Sequence, residues 1–221
     1  MPEQWPLADN DLWPDYWPYY CEENVWRMAQ TRARVPGYAM FISNAQAQVI
    51  MLAQRAGRMH DGLVCWDYHV VWVQFVESQW RVFDFDFADA TSAPQGGAGA
   101  QLEADADGIT EASLPGSLGV SFNSYFQACF PPLEQGYASY RPLFRLIPGD
   151  TFAREFSSDR SHMRGTDGSW QQPPPPWPCI GVGNRLTQYR TMHPDEVHTV
   201  YTMDTLTEFL RSEREHLNAP A

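Results

Sequence analysis

The chain contains no lysine: all fifteen of its basic residues are arginine. Lysine Schiff-base chemistry and a phosphate-loop lysine are therefore excluded. Positive charge is scarce overall, with 15 basic residues against 27 acidic and a formal net charge of -12. Nucleic acid and anionic membrane surfaces are poor partners for such a chain. The acidic surface suits solubility, and it would also draw in a cationic ligand or an amino terminus. No basic segment followed by an apolar stretch opens the sequence, and no apolar run approaches the roughly 20 residues of a membrane span. Cysteine is sparse: Cys21, Cys65, Cys129 and Cys179 lie far apart with no C-x-x-C pairing. That spacing argues against a disulfide framework or a zinc site. The expected setting is the cytoplasm, with reduced thiols.

What is present is a large apolar complement, 43% hydrophobic and 14% aromatic, enough for a real core in 221 residues. Residues 1–18 are rich in Pro, Trp and Tyr and read as an irregular arm whose aromatics pack onto the body. From Cys21, Val25, Met28 and Ala29 recur at helical spacing, with Glu22 and Glu23 suited to the first turn. "YAMFIS" and "AQVIML" read as short strands, and "GLVCWDYHVVWVQFV" with "WRVFDFDF" as a longer hairpin. The Gly-rich, acidic stretch at about 90–113 reads as a flexible insertion. "SFNSYFQACF" puts Phe122, Tyr125, Phe126, Cys129 and Phe130 on one helical face. "RPLFRLI" is strand-like, "GDTFAREF" a short helix, and "HTVYTM" a strand. Thr205 and Glu208 have capping-box spacing for a last helix carrying Leu206, Phe209, Leu210 and Leu217. Helices around antiparallel strands argue for an α+β fold in a single domain over 1–221.

The hairpin carries ionisable groups in very apolar company. By the period of two, His69, Val71 and Val73 share one face, and Trp80, Val82, Asp84 and Asp86 share another. A turn of about four residues over 75–78 would set His69 directly opposite Asp84. A tighter turn at Ser78-Gln79 would slide the pair four residues apart, and the sequence leaves the register open. A carboxylate beside a buried histidine fixes its tautomer and stabilises the imidazolium. Cys21, at the start of a helix, is placed where the dipole and free N–H groups favour thiolate and can hold an oxyanion. Cysteine at a helix start with His and Asp on later strands is an arrangement for nucleophilic catalysis.

"WDYHV" at 66–70 resembles the signature of the protein N-terminal glutamine amidohydrolase family. "YCEENVW", "FISN", "FDFD", "FSSDRSHM" and "PPPPWPCI" are similar to further blocks of that family in the same order, from about residue 19 to 210. The resemblance implies a three-layer α/β/α sandwich around a mostly antiparallel sheet, related to the papain and transglutaminase folds. It implies a Cys-His-Asp triad on Cys21, His69 and Asp84, and so chooses Asp84 over Asp86. The activity it implies is hydrolysis of the side-chain amide of an N-terminal glutamine, giving glutamate and ammonia through a thioester. No metal or organic cofactor is called for, and the expected partners of the monomer are proteins or peptides with a free N-terminal Gln.

Selection of a free α-amino group calls for a carboxylate or carbonyl partner; the candidate acids are Glu22, Glu23, Asp67 and Asp86. Of these, Asp67 reads as more structural and is expected to share the His69 face. Cys65, Cys129 and Cys179 read as small buried hydrophobes. His193 and His198 are expected on a surface loop. Asp159 to His162 read as a polar network pinning a loop near the site, and prolines 173–176 as scaffold rather than as a ligand for a proline-binding module. Rival readings are an internal-glutamine deamidase or thiol protease of the same fold, and a module that binds N-terminal Gln without turnover.

Overall fold

A computed structural model describes residues 16–32, 35–60, 63–88, 119–133, 135–193 and 198–219. Most of the expected arm and insertion lies outside these. Eight strands and five α-helices are described: α1 (Cys21–Arg32), β1 (Gly37–Ser43), β2 (Val49–Met51), β3 (Val64–Trp66), β4 (His69–Val76), β5 (Gln79–Phe83), β6 (Val120–Ser121), α2 (Phe122–Cys129), β7 (Leu143–Pro148), α3 (Gly149–Glu155), α4 (Leu186–Arg190), β8 (Val200–Tyr201) and α5 (Met203–Leu217).

Six strands form one sheet in the order β6-β5-β4-β1-β7-β8, with every neighbouring pair antiparallel. Helices cover both faces. On one, Val25 and Met28 of α1, Phe152 of α3 and Tyr189 of α4 pack with Phe41, Val70 and Trp72. On the other, Tyr125 and Phe126 of α2 and Leu206 and Leu210 of α5 pack with Met40, Ile42, Val71 and Val73. Burial on both faces explains why β4 is a continuous apolar run instead of an alternating one. The fold is α+β, as the order of elements suggests.

Three local expectations are corrected. The first strand of the expected hairpin is broken at Asp67 and Tyr68: β3 pairs with β2 in a separate two-stranded sheet, and only β4 pairs with β5. Period two does not run through the break, so Asp67 does not continue the His69 face. The turn is Glu77-Ser78, with both residues left-handed (φ 50° and 64°), as a two-residue hairpin turn matching strand twist requires. It pairs Val76 with Gln79 and Trp72 with Phe83, so neither register considered for His69 and Asp84 holds. Finally, the cap of α5 is Thr202, not Thr205: Thr202 accepts from the Thr205 N–H, and the Thr205 hydroxyl accepts from the Thr202 N–H.

Candidate active site

The first turn of α1 places Cys21. The N–H groups of Glu23 and Asn24 donate to Tyr20 O at 3.1 and 3.0 Å, making Tyr20 the cap and Cys21 the first helical residue. By helix geometry, the N–H groups of Cys21 and Glu22 have no acceptor within the helix. Cys21 is nearly buried, 9% exposed, and its sulfur receives the backbone N–H of Val70. Val70 follows His69, so thiol and imidazole lie at the same end of β4.

His69 is buried, and its Nε2 lies 2.8 Å from Asp84 Oδ1. The carboxylate accepts, so Nε2 carries the proton. Nδ1 is buried with no hydrogen-bond partner and keeps its lone pair. The Trp66 ring stacks on the imidazole at 5.4 Å and 14°. Asp84 stands one residue past β5. It also accepts from the Asp86 N–H at 2.9 Å, from Tyr125 Oη at 2.8 Å and from Gln54 Nε2 at 3.3 Å. Trp66 donates to Gln54 Oε1, which orients that amide. Tyr125 and Gln54 were not legible as site residues. Tyr125 sits in an apolar helical pattern that reads as core, and Gln54 lies in a segment with no motif.

Burial lowers the His69 pKa, but the charge and hydrogen bond of Asp84 overcome it and the net shift is upward. Burial raises that of Asp84, and His69 together with the Asp86 N–H and the Tyr125 hydroxyl turns it downward. The pair is thus built to hold an imidazolium. Cys21 departs from expectation: burial first, then the charges of Glu22, Asp86 and Asp67, push the thiol well above its ordinary value, against the Val70 N–H. These contributions favour the neutral thiol at Cys21.

The four candidate acids separate cleanly. Glu23 is consumed by a two-point ion pair with Arg160 (2.7 and 2.8 Å) and by the Trp177 indole N–H (2.7 Å). Asp67 has a 58% exposed side chain set against Arg190 at 3.3 Å. Asp86 accepts from Tyr16 Oη at 2.6 Å, and burial, reinforced by Asp84, raises its pKa. Glu22 is fully buried beside Cys21. Its Oε2 accepts from Tyr68 Oη at 3.0 Å and lies 3.7 Å from Cys21 Sγ, while Oε1 has no hydrogen-bond partner.

Among the described residues, His69, Asp84 and Asp86 form one group with metal-ligand spacing. The four donors on Asp84 make it an anchor for His69, and a cation would have to displace them. Of the other cysteines, Cys129 is buried as expected, but Cys65 and Cys179 are exposed. The first lies in the short outer sheet, and the second follows the proline segment at the surface. Prolines 173 and 175 offer carbonyls to Trp17 and Arg160, and Trp177 and Pro178 do the same for Arg160, so the segment is tied to the start of α1.

The family model described as "N-terminal glutamine amidase" matches residues 16–95 and 105–212. A protein N-terminal glutamine amidohydrolase of Oryza sativa subsp. indica is 36% identical over 198 residues, covering 84% of this chain and 76% of its own. The Homo sapiens protein of the same name is 31% identical over 198 residues, covering 85% and 83%. That of Drosophila grimshawi is 36% identical over 172 residues, covering 73% and 69%. With the model spanning nearly all of the described residues, the chain belongs to the N-terminal glutamine amidase family.

Proposed function

We propose that this protein hydrolyses the side-chain amide of an N-terminal glutamine in proteins or peptides, releasing ammonia and leaving N-terminal glutamate. The observation that carries the reading is the junction at the end of β4. There a thiol at a helix start receives the N–H of Val70, the residue after a buried histidine anchored through Nε2 on a four-donor carboxylate, in a chain of this family.

Cys21 Sγ gives its proton to His69 Nδ1 as it attacks the carboxamide carbon, forming the S–C bond. The N–H groups at the start of α1 receive the oxyanion. Collapse breaks the C–N bond, and the imidazolium returns its proton to the leaving nitrogen, which departs as ammonia. A water then loses a proton to Nδ1 and attacks the thioester. The S–C bond breaks, the sulfur recovers its proton from the imidazolium, and the carboxylic acid that remains ionises to solvent. Asp84 holds the ring and stabilises its cationic form throughout. Acid and base come from His69 alone, so no metal or organic cofactor enters a step.

Ammonia release from peptides beginning with Gln, Asn or acetyl-Gln tests the reading. Release from the free Gln peptide alone is expected, and Cys21→Ala is expected to abolish it. Retention of more than about a tenth of the rate in that variant would remove Cys21 from the nucleophile's role, since losing a triad member costs roughly 10⁴ or more. Release from internal glutamines instead would assign the same chemistry to a different substrate.

A further inference from the structure

Glu22 is an awkward neighbour for a nucleophile. Its carboxylate is fully buried, lies 3.7 Å from Cys21 Sγ, and leaves one oxygen without a hydrogen bond. No arginine is paired with it among the described ion pairs; His162 Nε2 stands 3.3 Å from Oε1. An imidazole there supplies a full counter-charge only when protonated. A buried carboxylate with an open oxygen is costly unless a cation completes it.

We propose that Glu22 receives the α-ammonium group of the substrate, which takes the place of His162 on Oε1, and thereby couples recognition of a free N-terminus to the reactivity of Cys21. The inference rests on the proposed deamidation and deepens it. The three other acids near the site are spent or turned away: Glu23 on Arg160 and Trp177, Asp67 on Arg190, Asp86 on Tyr16. Tyr68 Oη, 3.0 Å from Glu22 Oε2 and 3.3 Å from His162 Nε2, holds the carboxylate in place while the histidine moves.

The coupling follows from charge. Glu22 on α1, Asp67 in the bend before β4, and Asp86 beyond β5 all oppose a negative sulfur, while Tyr68 in the same bend stays neutral. His69 on β4 and His162 in the 3₁₀ turn Ser161–Met163 are the imidazoles nearby. Arg190 of α4 meets Asp67, and Tyr16 ahead of α1 meets Asp86. An ammonium on Glu22 cancels the nearest of the negative charges. A peptide with a blocked amino terminus leaves that charge in place and meets a poorly ionised thiol.

The test is the pH dependence of Cys21 alkylation by iodoacetamide, read on the Cys21 peptide by mass spectrometry because Cys65 and Cys179 are exposed. The wild-type protein is measured alone, with a Gly-initiated peptide, and with the same peptide acetylated. Glycine carries the ammonium but leaves the space beside the sulfur open. The expected result is a midpoint about one pH unit lower with the free peptide only. Glu22→Gln, checked for folding, should show the lower midpoint without any peptide. It should also raise KM for a Gln-initiated peptide about tenfold or more and lose discrimination against acetyl-Gln. Equal midpoints with free and acetylated peptide, up to millimolar concentration, would overturn the proposal. Because alkylation needs no turnover, the wild-type arm decides even if Glu22→Gln misfolds. Absent ammonia release would count against the deamidation reading, and an unmoved alkylation midpoint only against the role of Glu22.

Discussion

His69 and Asp84 shift each other's titration in opposite directions, and the consequence for stability has two limbs. The folded pKa of Asp84 is depressed, so its contribution is present above the unfolded carboxylate value and is lost as pH falls through the folded one. The folded pKa of His69 is raised, so its contribution is complete below the unfolded imidazole value and is lost as pH rises through the folded one. The two overlap between about pH 4 and 6.5. Asp84→Asn should therefore destabilise most inside that window, by about 1.5–3 kcal/mol, with the gap to wild type narrowing on either side. Urea unfolding at pH 5 and pH 8.5 measures it; an equal gap at both would show that the pair is not charged in the folded protein. The same variant should lower kcat by roughly 10²–10⁴, since an amide brings no negative charge to stabilise a cationic ring and can turn its NH₂ toward Nε2. Tyr125→Phe removes one donor from a saturated carboxylate. It should cost activity less than Asp84→Asn, seen as a smaller fall in ammonia release.

At the scale of elements, two junctions hold the geometry. Gly149, opening α3, lets that helix sit on the Trp72 indole of β4: a Cβ there would stand 2.3 Å from the ring. Trp72 is fully buried, so it has nowhere to retreat. Gly149→Ala should cost about 1–3 kcal/mol by overpacking, measured by denaturant unfolding, with no change in the pH profile of turnover. The second junction is Arg160, itself left-handed at φ 60°, which joins α1 through Glu23 to the carbonyls of Pro175, Trp177 and Pro178. Arg160→Met leaves Glu23 buried with no guanidinium partner. A loss of about 3–5 kcal/mol is expected, read as a lower urea midpoint. A drop near zero would show that water or Trp177 suffices for Glu23.

Across the whole molecule, the candidate site draws on three separated parts of the chain: the start of α1, the start of β4 and the turn after β5. The sequence by itself determined the elements that carry these parts. Helical spacing from Cys21, the apolar run of β4 and the Phe122–Cys129 stripe are local periodicities, and local periodicity is what sequence exposes. It also determined which residue types were available: a thiol at a helix start, a histidine in a greasy strand, acids shortly after. Three things were decided only in the tertiary structure. The hairpin register depends on a Glu-Ser turn in which both residues are left-handed, without the Asn-Gly signal that marks such turns. The sharing-out of acids depends on distant partners: Glu23 is taken by Arg160, 137 positions away, while Glu22 next to it keeps an open oxygen. And the thiolate that a helix start favours in isolation is disfavoured at Cys21 by the burial and negative charge around it. Each is a property of which groups meet after folding: desolvation and charge act through space, and the order of residues along the chain records neither.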